Sequence, residues 1–317
     1  MKKLIIVLGI VVISLAGIAV FKNLIIKSVV TTVASGMIGA PVHMDRFSLD
    51  YFSSTIRISG FKIYNPTGYP EGVLVSCPKI KVIYDRSTLF NPKRHFLLVD
   101  VDLKEMGVVK NKDGKLNVDS LKIVKEYKAS STIKMQIDIL NLSMGQIVYK
   151  DYTAGQEPSV RVYNVNKHNT YKGIPSAQHL ALLVLEEPLK AATIKGAEIY
   201  GVVMLAGVAA LPITIAATPV AVAEEFISKD SVRQILAVGF EHTYKVSLEI
   251  AGRMGRVTKE EAVNGEIKAK ISGARVAIIL KKKTGNMTEI TISARKYLFP
   301  KSDIAGGVLY EILDKLQ

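Results

Sequence analysis

An uncharged run from Leu4 to Phe21, set directly behind Lys2 and Lys3, constrains the rest of the chain most strongly. At about 1.5 Å per helical residue the run reaches across a hydrocarbon core of roughly 30 Å. It predicts a transmembrane helix. The two lysines then stay on the cytoplasmic side and the bulk of the chain is carried across. A cleaved signal peptide is the rival reading, but its apolar region is shorter and ends in an A-x-A-like site. This run ends at Ala19-Val20-Phe21-Lys22, and no lipobox cysteine follows. Beyond it, Leu24, Ile25, Val29, Val33 and Met37 recur at helical spacing until Gly36 and Gly39-Ala40-Pro41 interrupt them. Residues 1–40 are therefore expected to be an anchor helix with a stalk, lying at the interface or against the first sheet.

From Pro41 the periodicity changes to two. Phe47, Leu49 and Tyr51 alternate with Ser48 and Asp50, and Ile56 and Ile58 alternate with Arg57 and Ser59. Gly60 shifts the phase before Phe61 and Ile63 resume it, which predicts a bulge. Asn65-Pro66-Thr67-Gly68-Tyr69-Pro70 is a loop signal, and Lys112-Asp113-Gly114-Lys115 a hairpin turn. Leu97, Val99, Val101 and Leu103 alternate with Asp100, Asp102 and Lys104, the signature of a strand with one apolar and one polar face. A short helix is expected over 120–128 with Ser120 as its cap, and a further strand at Ile133, Met135, Ile137 and Ile139. Segments 147–149 and 160–165 extend the strand series. Short strands joined by turns predict an antiparallel sheet whose apolar face is covered by curling, by a second layer or by lipid.

These residues carry a resemblance. A membrane helix is followed by Gly39-Ala40-Pro41-Val42, Phe52-Ser53-Ser54-Thr55-Ile56-Arg57-Ile58, and Phe61-Lys62-Ile63-Tyr64-Asn65-Pro66-Thr67-Gly68-Tyr69. Then come Pro78-Lys79-Ile80-Lys81-Val82, Asp113-Gly114-Lys115-Leu116-Asn117-Val118 and Leu121. In order and spacing, residues 1–150 resemble the N-terminal module of the AsmA-like family of bacterial envelope proteins. The resemblance implies an inner-membrane protein facing the periplasm. It also implies kinship with bridge-like lipid carriers, whose β-groove has an apolar floor. This chain has only the head module.

Segment 176–190 reads as an amphipathic helix with Leu180, Leu183, Val184 and Leu189 on one side. Residues 199–223 carry no charge and contain Gly201, Gly207, Pro212 and Pro219. A membrane-inserted hairpin or peripheral segment, a true span and a buried core helix are all open for this stretch. The lysines before it and the prolines within it disfavour the span. Farther on, strands over 235–240, 255–258, 267–271, 274–281 and 287–295 join two helices, one at 243–252 and one at 302–316. Gly265-Glu266-Ile267-Lys268-Ala269 and Thr288-Glu289-Ile290-Thr291-Ile292 resemble a small domain of unknown function found in bacterial lipoproteins.

The expected fold class is thus α+β. It comprises the N-terminal transmembrane helix, a curled antiparallel β-sheet module over 41–190, an apolar membrane-associated segment over 191–227, and a small β-α-β-β-β-α domain over 228–317.

No chemistry-bearing motif emerges. The chain lacks a Gly-rich phosphate loop, H-E-x-x-H and G-x-S-x-G. His43, His95, His168, His179 and His242 are scattered and read as surface or packing residues. Asp100 and Asp102 share a strand face that reads as solvated. The one cysteine, Cys77, lies in an apolar run and excludes an internal disulfide. No catalytic residue, metal site or cofactor is expected. The net charge of +14 suits an anionic neighbour. Lys281-Lys282-Lys283 is the candidate membrane-surface contact, against a solvated hairpin end. Nucleic acid is not expected as a partner, because a basic face with interleaved aromatics is missing. The expected function is a non-enzymatic, inner-membrane-anchored envelope protein that binds membrane lipids or maintains the envelope. The alternative is a structural protein docking an envelope partner without lipid cargo.

Overall fold

A computed structural model describes residues 23–88, 94–126, 134–195, 197–199, 231–283 and 286–316. Strand accounts for 49% of the described residues and helix for 29%, arranged in two sheets. The first sheet has seven strands: β1 (Val42–His43), β2 (Arg46–Asp50), β3 (Thr55–Tyr64), β4 (Val73–Tyr84), β5 (Arg94–Lys110), β6 (Lys134–Asp151) and β7 (Ser159–Ser176). Their order is β1-β3-β4-β5-β6-β7, with β2 also beside β3. Helix α1 covers residues 23–38, α2 is the single turn Lys122–Lys125, and α3 is Ala177–Ala191.

The second sheet is built from β8 (Ser231–Leu236), β9 (Gly255–Glu261), β10 (Glu266–Ile271), β11 (Ala274–Lys282), β12 (Thr288–Lys296) and β13 (Phe299–Pro300). It runs β13-β12-β11-β10-β9, with β8 also paired to β12. Helix α4 (Phe240–Met254) lies between β8 and β9 in sequence, and α5 (Ser302–Leu316) follows β13.

The chain divides into two compact units. One holds residues 1–106, 117–145 and 166–215, and the other 107–116, 146–165 and 216–317. In the second unit, Ile267, Ile278, Ile290 and Ile292 on the sheet are buried with Ile250, Val308 and Ile312 on the two helices in one apolar cluster. Burial on β10 and β11 alternates strictly, so Lys268, Lys270 and Arg275 point to the opposite, exposed face. Val148, Val160 and Val162, from the ends of β6 and β7, form a second cluster with Met254 and Tyr310.

The α+β expectation is overturned. The described residues are mostly β, because runs read as separate short strands join into continuous strands of 17 or 18 residues in β5, β6 and β7. The expected strand at 139 and the segment at 147–149 are both parts of β6. Four strands, in the places where the sequence puts them, and the two-residue β13 separate α4 from α5, where the order β-α-β-β-β-α has three. No described helix is long and apolar enough to cross a membrane. Helix α1 carries Lys27, Ser28, Thr31 and Thr32, and Thr31 and Thr32 bond back to carbonyls one turn earlier. The expected transmembrane run, Leu4–Phe21, and most of the apolar middle segment, 201–223, lie outside the described residues.

Three local expectations also change. Gly36 continues α1, and the helix ends at Gly39, whose φ is +79°. The expected Ser120 cap is not made: Val118–Ser120 is a 3-10 turn, Leu121 precedes α2, and the Ser120 hydroxyl instead meets Tyr69 Oη at 2.8 Å. At Gly60 the φ of +63° is present, but pairing with β4 runs through unshifted, from Ser59↔Lys79 to Phe61↔Cys77. Both strands change apolar phase there, Ile56 and Ile58 giving way to Phe61 and Ile63 opposite Ile80 and Cys77. A Cβ on Gly60 would collide with the Asp45 carboxylate.

Candidate functional site

The first unit carries a partly open apolar cavity of about 770 Å³. Its floor is the apolar face of the seven-stranded sheet. Phe47 and Leu49 come from β2, Ile56 and Ile58 from β3, Ile80 and Val82 from β4, and Val99 and Val101 from β5. Alternation within each stretch places every second side chain on this face and leaves charges on the other, and the phase changes between Ile58 and Phe61 on β3 and between Cys77 and Ile80 on β4. Lys79 and Lys81 pair across the strands with Asp102 and Asp100, and Asn141 Nδ2 donates to Asp100 Oδ1 at 2.7 Å. The Asp100–Asp102 pair therefore sits in a polar ladder.

Two helices wall the cavity. Helix α3 starts at Ser176, whose Oγ accepts from the His179 amide at 3.2 Å, and contributes Leu180, Ala181, Val184 and Leu185. Helix α1 contributes Ile26, Val30, Ala34, Met37 and Ile38. Most of the residues whose spacing marked α1 in the sequence face elsewhere: Leu24, Ile25, Val29 and Val33 are each more than half exposed. The spacing 26-30-34 is as regular as 25-29-33, so periodicity alone does not separate the packed stripe from the bare one.

Cys77 lines the cavity and is buried, and burial pushes its thiol up to about 12, with the Asp102 charge adding to the shift. It is an inert wall residue at neutral pH. Polar groups gather at one part of the lining: Asp85, Thr88, Arg94 and His95. His95 Nε2 lies 2.8 Å from Asp138 Oδ2, and its Nδ1 lies 3.7 Å from Asp85 Oδ2. The Thr88 hydroxyl accepts from the His95 amide at 3.0 Å. The His95 bond, followed by that from Gln136, holds the Asp138 carboxyl below the usual carboxylate range. The Asp85 carboxyl is lowered chiefly by Ser87. In the sequence His95 reads as a surface or packing residue and Asp85 and Asp138 are passed over, because the three are separated along the chain and meet only where β5 lies between β6 and the end of β4.

The arrangement can hold an elongated apolar group with a polar end. No cluster of three metal-ligating side chains occurs among the described residues. The remaining histidines have local partners: His43 with Asp45 at 3.3 Å, His168 with Ser143 at 2.8 Å, and His179 with Ser176 at 2.6 Å. His242 is exposed on α4.

Lys281, Lys282 and Lys283 belong to the second unit and are not among the residues that line this cavity. Lys281 and Lys282 end β11 and are exposed. Lys283 Nζ lies 2.8 Å from Glu289 Oε2, and Arg233 approaches the same carboxylate at 3.8 Å. The Lys283 bond holds the Glu289 carboxyl down, so one member of the triplet is already matched by an acid. No protein-family model matches the chain, and no curated protein matches it.

Proposed function

We propose that this chain is a non-enzymatic lipid-binding module of the bacterial cell envelope, holding an acyl chain in the cavity of its first unit. The observation that carries this is the cavity itself. Its volume falls within the range of ordinary ligand sites, roughly 300–1,000 Å³. Its walls are aliphatic and aromatic from five strands and two helices, and apolar cavities take up apolar molecules in preference to water. Asp85, Thr88, Arg94 and His95 supply the few polar groups that would orient a headgroup. The resemblance of residues 1–150 to AsmA-like proteins supports the same cargo class and a periplasm-facing position.

The test is native mass spectrometry of the full chain together with its Ala181→Phe variant. Ala181 lines the cavity from α3, and a phenyl ring there takes up part of its volume. Phospholipid at a fixed stoichiometry on the wild-type chain, lost from a folded Ala181→Phe variant, is expected. A lipid-free wild-type chain whose melting temperature ignores added phospholipid overturns the reading. The exposed stripe Ile25, Val29 and Val33 on α1 favours the second reading, a partner-docking envelope protein. In that case substitutions on this stripe, rather than in the cavity, abolish function.

A further inference from the structure

The outer face of the second sheet carries one register row made of bases. Arg256 on β9 pairs with Lys270 on β10, Lys270 with Arg275 on β11, and Arg275 with Arg295 on β12. The row ends on Pro300 of β13 and contains no acid. Like charges directly opposite one another destabilise a sheet, so four in succession are not a packing solution.

The same end of the sheet carries an apolar tip. Lys296 pairs with Phe299, leaving Tyr297 and Leu298 as a two-residue hairpin loop. Tyr297, Leu298 and Phe299 are 80%, 87% and 72% exposed. Tyr297 holds a φ of +55°, in a loop position that favours glycine or asparagine. A large aromatic side chain is thus kept in a strained, solvent-facing place where a small residue would fold more easily. Arg275 Nη2 donates to the Tyr297 carbonyl at 3.3 Å, tying the tip to the basic row.

We propose that this tip and the row beside it dock the second unit on an anionic lipid membrane. Tyr297, Leu298 and Phe299 enter the headgroup boundary, and Arg256, Lys270 and Arg275 meet the lipid phosphates. Amphipathic aromatics and aliphatics flanked by bases suit a bilayer interface, where the apolar part is buried and the cations face the charged surface. This places the membrane contact at the start of β11, whereas Lys281, Lys282 and Lys283 stand at the opposite end of that strand. The inference is independent of the cavity.

The test uses the full chain carrying Cys77→Ala and Leu298→Cys, labelled at residue 298 with an environment-sensitive fluorophore. Vesicles of equimolar phosphatidylcholine and phosphatidylglycerol are compared with phosphatidylcholine alone. A blue shift on the anionic vesicles, weakened by salt, is expected, whereas a label on Val263→Cys, at the far end of β10, stays water-like. Each charge reversal among Arg256, Lys270 and Arg275 lowers partitioning at least about fivefold, the fold-change of one cation's attraction to an anionic leaflet. Tyr297→Gly weakens binding while raising thermal stability, which separates docking from folding. A label at 298 that stays water-like while the chain sediments with vesicles overturns the proposal. So does a blue shift produced by single-stranded DNA and not by vesicles.

Discussion

The side-chain amide of Asn117 donates to Asn65 Oδ1 at 2.8 Å, joining two loops that are 52 positions apart in the chain. Asn65 Nδ2 in turn donates to the Pro70 carbonyl at 2.8 Å, and Asn117 Oδ1 accepts from the Val118 amide at 2.9 Å. Asn117 is fully buried, so truncating it strands polar groups away from water. Asn117→Ala is expected to cost about 1–3 kcal/mol, measured by chemical denaturation. The Asn65→Ala, Asn117→Ala double mutant should cost less than the sum of the two singles, because they share one bond.

Cys77 is the natural reporter of the cavity. With its thiol pushed up to about 12 by burial, the reactive thiolate is scarce at neutral pH. Labelling by a small neutral disulfide reagent should be slow at pH 7 and rise about tenfold per pH unit, for as long as the fold survives. An alkyl-chain thiosulfonate should outpace a charged one of equal intrinsic reactivity, because Cys77 shares its cavity wall with Ile63, Val75 and Ile80. Equal rates for the two reagents would show that the thiol is reached from solvent instead.

Glu186 on α3 has its carboxyl raised above 4.5, first by burial, against the opposing bond from Lys190 at 2.7 Å. A raised acid contributes stability in its protonated form. That contribution is complete below the unfolded value and is lost as pH rises through the folded one. Glu186→Gln, which mimics the protonated form at every pH, should therefore match or exceed wild-type stability at pH 7. Its advantage should shrink as pH falls toward 4.5. Melting temperatures of both proteins across that window check the sign, and a variant less stable at pH 7 would mean that the Lys190 bridge outweighs desolvation.

Some of this architecture is legible in the sequence, and the reasons are local. Val99 to Leu103 alternates cleanly because β5 buries one face there, so period two survives in the residue types, whereas Leu97, read as part of the same stripe, is exposed where the pairing with β4 shifts register. The Asn-Pro-x-Gly loop and the Asp-Gly-x-Leu-Asn turn are each weak alone, yet the structure clasps them together through Asn65 and Asn117. The length of β6 is hidden, because its apolar phase switches between Ile139, which is exposed, and Leu140, which is buried, and again before Ile147 and Val148, while its backbone continues. The packed stripe of α1 is hidden for the opposite reason: both of its faces are apolar. The basic row is invisible in sequence, since Arg256, Lys270, Arg275 and Arg295 become neighbours only through strand register. The contribution of residues 107–116 and 146–165 to the second unit likewise has no local signature.

Helix α5 meets the end of β7 through two adjacent glycines that should respond differently to the same methyl group. A Cβ on Gly307 would collide with the Val160 carbonyl, which is backbone and cannot move aside cheaply. A Cβ on Gly306 would sit 3.2 Å from Val162 Cβ, a side-chain contact that a few tenths of an ångström relieve. Gly252, on α4, has open space around it. Replacing a helical glycine by alanine gains about 1 kcal/mol in backbone terms where nothing clashes. Gly252→Ala is therefore expected to stabilise by up to about 1 kcal/mol, and Gly306→Ala to fall near neutral. Gly307→Ala should destabilise by about 1–3 kcal/mol, because overpacking against backbone exceeds the helical gain. Urea denaturation of the three variants measures the series. Gly307→Ala as stable as Gly252→Ala would show that α5 does not pack against the Val160 backbone in solution.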